Sequence, residues 1–146
     1  MTTAPATAPE TTLDARLRPL LVAAIVALAI EFLLGTASNL WLTLPTSGSG
    51  WSTATPAWLV MVHVALGVLI LVLAGYIAVL AVRSHVSKVT AASHTGVLGV
   101  LIAFGGGFAF MGQVQSSGAS FIMAVGCGVA IAAYATALYL SGSVTS

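Results

Sequence analysis

Charged side chains are almost absent from this sequence. Lys, Arg, Asp and Glu together make up 5% of its 146 residues, whereas 59% are hydrophobic. A soluble globular domain usually has about a quarter of its residues charged, so this composition excludes one. The formal net charge of +1 gives no indication of nucleic acid as a partner. The sequence therefore predicts a membrane protein that is surrounded by the lipid bilayer.

Cysteine and catalytic motifs are equally scarce. The one cysteine, Cys127, excludes an intramolecular disulfide and is expected to be a small packing residue. No nucleophile stands at a readable spacing from a base, no phosphate-binding loop precedes a lysine, and no His, Asp and Glu cluster predicts a metal site. Hydrolase, kinase and zinc-enzyme classes are left without support, and we expect a protein that is not a stand-alone enzyme.

Long apolar runs occupy most of the chain. There are four, each near the roughly 20 residues that a helix needs to cross about 30 Å of hydrocarbon. They are roughly Leu20 to Leu42, Trp58 to Val82, Ser93 to Gln113 and Ala119 to Leu140. The short second and third connections favour antiparallel neighbours. We predict an all-α fold, an integral membrane up-down-up-down four-helix bundle over residues 19–142, behind a flexible tail of residues 1–18.

The basic side chains indicate the orientation. All four flank the first span's N-terminus or fill the connection between the second and third spans: Arg16, Arg18, Arg83 and Lys88. By the positive-inside rule, the tail and both termini are cytoplasmic, and the protein is a multi-pass protein of the plasma (inner) membrane. The first run is too long for a signal-peptide core, so we interpret it as an uncleaved signal anchor.

Small residues recur at four-residue steps in the last two spans. Gly99, Ala103 and Gly107 form one such set in the third span, Gly126 and Ala130 a second in the fourth, and Gly128, Ala132 and Thr136 an offset third. Such faces let membrane helices approach closely, so these two spans are predicted to touch. The run FGGGF, residues 104–108, has two interpretations: a tightly packed or bent helix, or a place where a flat ligand lies against backbone. These faces also suit a homo-oligomer or a larger membrane complex.

The stretch AIEFLLG, residues 29–35, places a carboxylate, Glu31, inside an apolar run. With Trp41 and Trp58 marking the outer interface, Glu31 lies about 15 Å below it and His63 about 7 Å below it. A charged carboxylate in hydrocarbon costs several kcal/mol, so Glu31 must face the interior, be protonated or have a partner. Side-chain tilt on oppositely directed helices widens the offset between Glu31 and His63. The sequence thus predicts a gap that a water or a ligand fills.

Other polar residues fall near the outer edge of the spans. Asn39 and Gln113 are two of them. Together with Glu31 and His63, they predict an outward-facing polar cavity that binds a small ligand or a proton, in an accessory or transport-type role. Two alternatives stay open for Glu31, a structural hydrogen bond across helices and a functional contact. A purely structural subunit of a larger complex is a further class.

An electron-transfer role is another alternative, as a b-type haem or quinone protein using His63. His63 and Gly67 make an H-x-x-x-G spacing, which places flat clearance one turn from an imidazole. Met111 and Met123 match His63 in depth, whereas His94 lies about 15 Å away. Within this alternative, the geometry allows haem ligation by His63 with Met111 or Met123, or by two copies of His63 in a symmetric dimer; the other interpretation of His63 is a hydrogen-bonded polar residue of the outer cavity.

Three segments carry a resemblance: GTASNLWLTLP (35–45), HVALG (63–67) and GGGFAFMGQVQSSGASFIMAVG (105–126). In them the chain resembles a group of small four-span membrane proteins of actinobacteria. The matching residues are Gly35, Asn39, Leu40, Pro45, Phe108, Ser116, Phe121, Met123 and Ala124. The resemblance implies a common fold and no particular activity. More loosely, His63 and Gly67 are similar to positions in the four-helix halves of haem A synthase and in other membrane b-type cytochromes, which implies haem b as a cofactor.

Overall fold

The computed structural model describes residues 10–41, 57–112 and 116–143, and these residues form four α-helices. They are α1 (Glu10–Trp41), α2 (Ala57–Arg83), α3 (Ser87–Gly112) and α4 (Ser117–Ser143). Each helix is long and apolar enough to cross a membrane. The all-α class and the four predicted helices are therefore confirmed for the part of the chain that the structure describes.

The first helix begins earlier than the sequence predicted. The flexible tail was expected to extend through residue 18, but α1 begins at Glu10 and Leu17 is fully buried. The physical reason is a helical stripe of apolar residues that continues past the expected boundary, since Leu17, Leu21, Ala24 and Leu28 lie four, three and four residues apart and all pack in the core. The predicted tail was too long; residues 1–9 of it lie outside the described residues.

The four helices form a ring. α1 packs against α2 and α4, and α3 packs against α2 and α4, with the most extensive contact between α3 and α4. Within the described segments, no contact joins α1 to α3 or α2 to α4. A ring without diagonal contacts depends on side chains to fill its centre. The main buried cluster does so with Leu17, Leu21, Ala24 and Leu28 of α1, Ile70, Ala74, Ile77, Leu80 and Ala81 of α2, Val89 and Val100 of α3, and Cys127, Ala130, Tyr134 and Ala137 of α4.

The contact between α3 and α4 is made by backbone on backbone. A Cβ added at Gly99 would lie 2.7 Å from the amide nitrogen of Ala130, and one added at Gly126 would lie 2.5 Å from that of Ala103. Both distances are too short for real atoms, so only glycine fits there. The predicted close contact of the last two spans is confirmed. Of the two small-residue faces on α4, Gly126 and Ala130 make it, because the Cβ position of Gly128 has no neighbour within 4 Å.

The three glycines of FGGGF lie within an unbroken stretch of α3, and each has different surroundings. Gly106 packs against α4, where its Cβ would come within 2.8 Å of the amide nitrogen of Met123. At Gly105 the same position is open, with nothing within 4 Å. Gly107 lines a cavity, with the sulfur of Met123 at 3.7 Å from its Cβ position. Tight packing therefore explains Gly106, and a ligand-facing backbone remains a prediction for Gly107.

One end of the ring carries the basic residues. Ser84–Val86 connect α2 to α3 there, with Thr90 donating a hydrogen bond to the carbonyl of Ala81 at 2.7 Å. Arg83 and Lys88 flank this connection. Arg18 lies at the same end, because its guanidinium is 2.9 Å from the Cβ position of Gly142 on α4. The start of α1, the end of α2, the start of α3 and the end of α4 thus meet at the basic end of the bundle.

Gly126→Val and Gly128→Val form a matched pair that tests the α3–α4 contact. Overpacking of a close interface costs about 1–3 kcal/mol, so Gly126→Val is expected to lower the midpoint of thermal unfolding in detergent, measured by circular dichroism. Gly128→Val makes the same chemical change where the Cβ position is open, and should unfold near the wild-type midpoint. Equal midpoints for the two variants would contradict the backbone contact.

Candidate ligand and proton site

Glu31 and His63 contact each other directly. Nδ1 of His63 lies 3.1 Å from Oε1 of Glu31, and the two side chains are only 20% and 15% exposed respectively. The predicted gap between them is therefore wrong. Side-chain tilt fixes only the direction of the Cα–Cβ bond, and the later torsions of a long glutamate and an imidazole ring bring their polar ends together.

Two glycines, one on each helix, leave space for the side chains of Glu31 and His63. A Cβ at Gly67 on α2 would lie 3.1 Å from Oε1 of Glu31, and a Cβ at Gly35 on α1 would lie 3.3 Å from Cε1 of His63. Each polar side chain thus lies against the glycine of the opposite helix. The spacing is the same in both helices, because Glu31 precedes Gly35 by four residues and His63 precedes Gly67 by four.

The hydrogen bonding of the pair is incomplete. Oε2 of Glu31 and Nδ1 of His63 are both buried without a hydrogen-bond partner among the described residues. The 3.1 Å distance is short enough for an ion pair. The angle between the imidazole and Oε1 does not meet the geometry of a hydrogen bond. A buried polar atom without a partner costs about 1–3 kcal/mol. The pair therefore leaves two buried polar atoms without hydrogen bonds among the described residues.

A cavity of about 210 Å³ adjoins the pair, and all four helices line it. Its polar lining residues are Glu31, Thr36, Ser38, His63 and Ser120, and its aromatic ones are Phe32, Phe104, Phe108 and Phe110. Ser38 is 9% exposed, and its hydroxyl also lacks a hydrogen-bond partner in the described part of the chain. The lining formed by the described residues is thus mainly apolar with a few polar groups.

The cavity lies in the half of the bundle that is away from the basic end. Towards that end it is bounded by Leu28, Ile70 and Val100, which belong to the main core. At the opposite end it is bounded by Val60 and Met111, which form a second, small buried cluster. Apolar residues therefore line the cavity at both of its ends along the helix axes.

The structure brings several of the predicted residues together. Met111 and Met123 line the same cavity as Glu31 and His63, and Cys127 lines it too while its thiol donates a hydrogen bond to the carbonyl of Leu28 at 3.4 Å. Asn39 lies in α1, but its side chain, like all of Gln113, falls outside the described residues. His94 is exposed on α3 and is not among the lining residues.

The cavity does not fit a haem. The clearance at Gly67 that an H-x-x-x-G spacing offers to a porphyrin plane is filled by the carboxylate of Glu31. A dry apolar cavity of about 150 Å³ holds one benzene molecule, so 210 Å³ suits a single substituted ring rather than four linked pyrrole rings. The geometry favours a smaller ligand than the haem that His63, Met111 and Met123 were predicted to hold.

Comparison of the chain with family models, with curated proteins and with solved structures finds no match in any of the three. Membership of the four-span actinobacterial group stays a prediction. The functional argument therefore rests on the cavity and on the Glu31–His63 contact.

A matched pair of glycine variants tests this local geometry. Gly67→Ala places a methyl group 3.1 Å from Oε1 of Glu31, whereas Gly75→Ala places one where nothing lies within 4 Å. The change in helix propensity, about 1 kcal/mol in favour of alanine, is the same in both variants. We expect Gly67→Ala alone to shift the imidazole ¹⁵N NMR signals of His63, which His63→Gln identifies. Unchanged His63 signals in Gly67→Ala would show that the carboxylate does not lie there.

Proposed function

We propose that this chain is an integral protein of the plasma (inner) membrane that binds a small ligand together with a proton in its outer half. Several observations support the membrane setting. Large hydrophobic side chains such as Leu33, Leu69 and Tyr139 are 65–77% exposed on the surface of the bundle, as a lipid-facing surface requires. The role is an accessory or transport-type one, and the protein is not a stand-alone enzyme.

Residue pairing supports helices that alternate in direction. Along α3 and α4, Gly96 meets Tyr134, Gly99 meets Ala130 and Gly106 meets Met123, so numbers fall on one helix as they rise on the other. Glu31 against Gly67 and His63 against Gly35 show the same reversal for α1 and α2. With the basic end in the cytoplasm by the positive-inside rule, the cavity lies in the outer half of the membrane and both termini are cytoplasmic.

The observation that carries the proposal is the incompletely bonded Glu31–His63 pair on the wall of a cavity. Ionisable side chains inside a membrane are expensive and mark pathways or binding sites. A pair kept only for stability would be expected to satisfy its hydrogen bonds, because a half-satisfied polar network is worse than an apolar core. Here Oε2 of Glu31 and Nδ1 of His63 are left for another partner.

The pair can hold a proton at either residue. It is neutral overall whether it consists of carboxylate and imidazolium or of carboxylic acid and imidazole, so either residue can hold the proton at the same net charge. The titratable residues lining the cavity are Glu31, His63 and Cys127, and no described lysine or arginine lines it. A ligand that donates to Oε2 or accepts from the imidazole therefore changes which residue holds the proton.

Infrared spectroscopy of the protein in lipid nanodiscs tests the proposal without knowledge of the ligand. We expect a carboxyl C=O band that shifts on transfer from H₂O to D₂O and changes intensity with pH. Glu31→Gln should remove this band, and His63→Gln should change its pH dependence, because the imidazole is the proton partner. Glu10→Gln, which removes a carboxyl group at the far end of α1, is the matched control and should leave the band unchanged.

Two outcomes would contradict a proton-linked site. The Glu31 band would neither exchange in D₂O nor respond to pH if the carboxyl group were sealed in the core as a structural element. A pH response that is identical in wild type and His63→Gln would show that the two residues do not share a proton. Either result favours the alternative of a structural subunit of a larger membrane complex.

A further inference from the structure

We infer that the ligand is a lipid-soluble quinol or quinone, whose ring enters the cavity through its side wall from the bilayer while its tail stays in lipid. This inference rests on the proposed function, since it names the class of molecule that binds at the Glu31–His63 pair. Three properties of the cavity support it: its size and lining, the positions of its polar groups, and the place where its wall reaches the surface.

The size and lining suit one flat ring. At about 210 Å³, the cavity exceeds the roughly 150 Å³ that holds benzene and is below the roughly 300–1,000 Å³ of pockets for drug-sized ligands. Phe104 and Phe108 stand with ring centroids 5.2 Å apart and planes tilted by 54°, and aromatic rings favour such offset or tilted neighbours. Met111 and Met123 add flexible thioethers that adapt to the edge of a ring.

The polar groups suit a ring with an oxygen at each end. Glu31 and His63 line the cavity; a carboxyl group can accept from a quinol hydroxyl group, and an imidazole can donate to a quinone carbonyl oxygen. Ser38 lines the cavity with an unpartnered hydroxyl. It follows Glu31 by seven residues, which is about 10 Å along the same face of α1. Two hydrogen bonds of about 2.8 Å with a six-membered ring between them span such a distance.

The wall of the cavity reaches the outer surface of the bundle at its side. Val60 and Met111, at the end away from the basic residues, are 6% and 9% exposed, whereas Phe108 lines the cavity and is 53% exposed. Phe108 is one helical turn from Phe104, whose ring lies 3.9 Å from the Cβ position of Gly67. Phe32 of α1 also lines the cavity and is 44% exposed, so the side wall includes exposed aromatic residues of α1 and α3, on surfaces that face lipid in the proposed membrane setting. A ligand with an apolar tail enters by this route without crossing water.

Binding of radiolabelled decylubiquinone to the full chain in nanodiscs tests the inference. We expect saturable binding of about one molecule per protein above that of empty nanodiscs. Ala124→Leu fills part of the cavity, because Ala124 lines it, and should weaken binding at least tenfold. Ala135→Leu adds the same atoms to the exposed face of α4 away from the cavity and should bind as the wild type does.

A competition experiment on the wild-type protein gives a second test that needs no variant to fold. Decylbenzene has the same tail and a ring without oxygens, so it should compete poorly with decylubiquinone. Absence of saturable binding, equal binding by folded Ala124→Leu, or equal competition by decylbenzene would overturn the quinone inference. These outcomes leave the infrared response of Glu31 unaffected, so a failure here is distinguishable from a failure of the proton-linked site.

Discussion

The close approach of α1 and α2 at two glycines is the constraint on which the candidate site depends. Gly35 leaves room for the imidazole of His63, and Gly67 leaves room for the carboxylate of Glu31. A side chain at either glycine would contact the carboxylate or the imidazole too closely, and the surrounding interior is apolar. The same four-residue spacing recurs on both helices, and the carboxylate and the imidazole lie 3.1 Å apart in the wall of the cavity.

The remaining helices explain why a cavity exists beside this pair. α3 and α4 pack backbone against backbone at Gly99, Gly106 and Gly126, which makes them a closely packed unit. The contacts of α1 and α2 with that unit are less extensive and depend on larger side chains. Towards the basic end, Leu28, Ile70 and Tyr134 belong to the cluster that fills the centre of the ring. In the other half of the bundle, small residues such as Gly107 and Ala124 line the centre instead, which leaves a cavity there.

Sequence reasoning predicted the features that depend on composition and on repeated spacing. Four apolar runs gave four helices, and the small-residue steps of the last two spans predicted their contact through Gly99 and Gly126. The start of α1 was misjudged because the buried position of Leu17 depends on its neighbours in other helices. The direct Glu31–His63 contact does not follow from side-chain tilt, because the later torsions decide where the polar ends lie. The Glu31–Gly35 spacing is the sequence signal for this contact, since it repeats the His63–Gly67 spacing.

The cavity itself was only partly within reach of sequence. The predicted depths of Met111 and Met123 matched that of His63, and all three line the cavity, but its volume and mainly apolar wall depend on how the Phe104 and Phe108 rings pack, which no spacing rule gives. The haem prediction depended on the same kind of information. The H-x-x-x-G spacing does leave space beside Gly67, but the carboxylate of Glu31 from the neighbouring helix occupies that space. Which group occupies a clearance is a property of the assembled helices.

The most direct test of this account is the distance between Glu31 and His63 in a lipid bilayer. Solid-state NMR can measure the dipolar coupling between the ¹³C-labelled carboxyl carbon of Glu31 and the ¹⁵N-labelled imidazole of His63, with Glu10→Gln and His63→Gln to assign the signals. A strong coupling, as the 3.1 Å N–O contact requires, would establish the pair at the centre of the site. No measurable coupling would mean that the two side chains point apart, and the account of the cavity as a proton-linked site would fail with it.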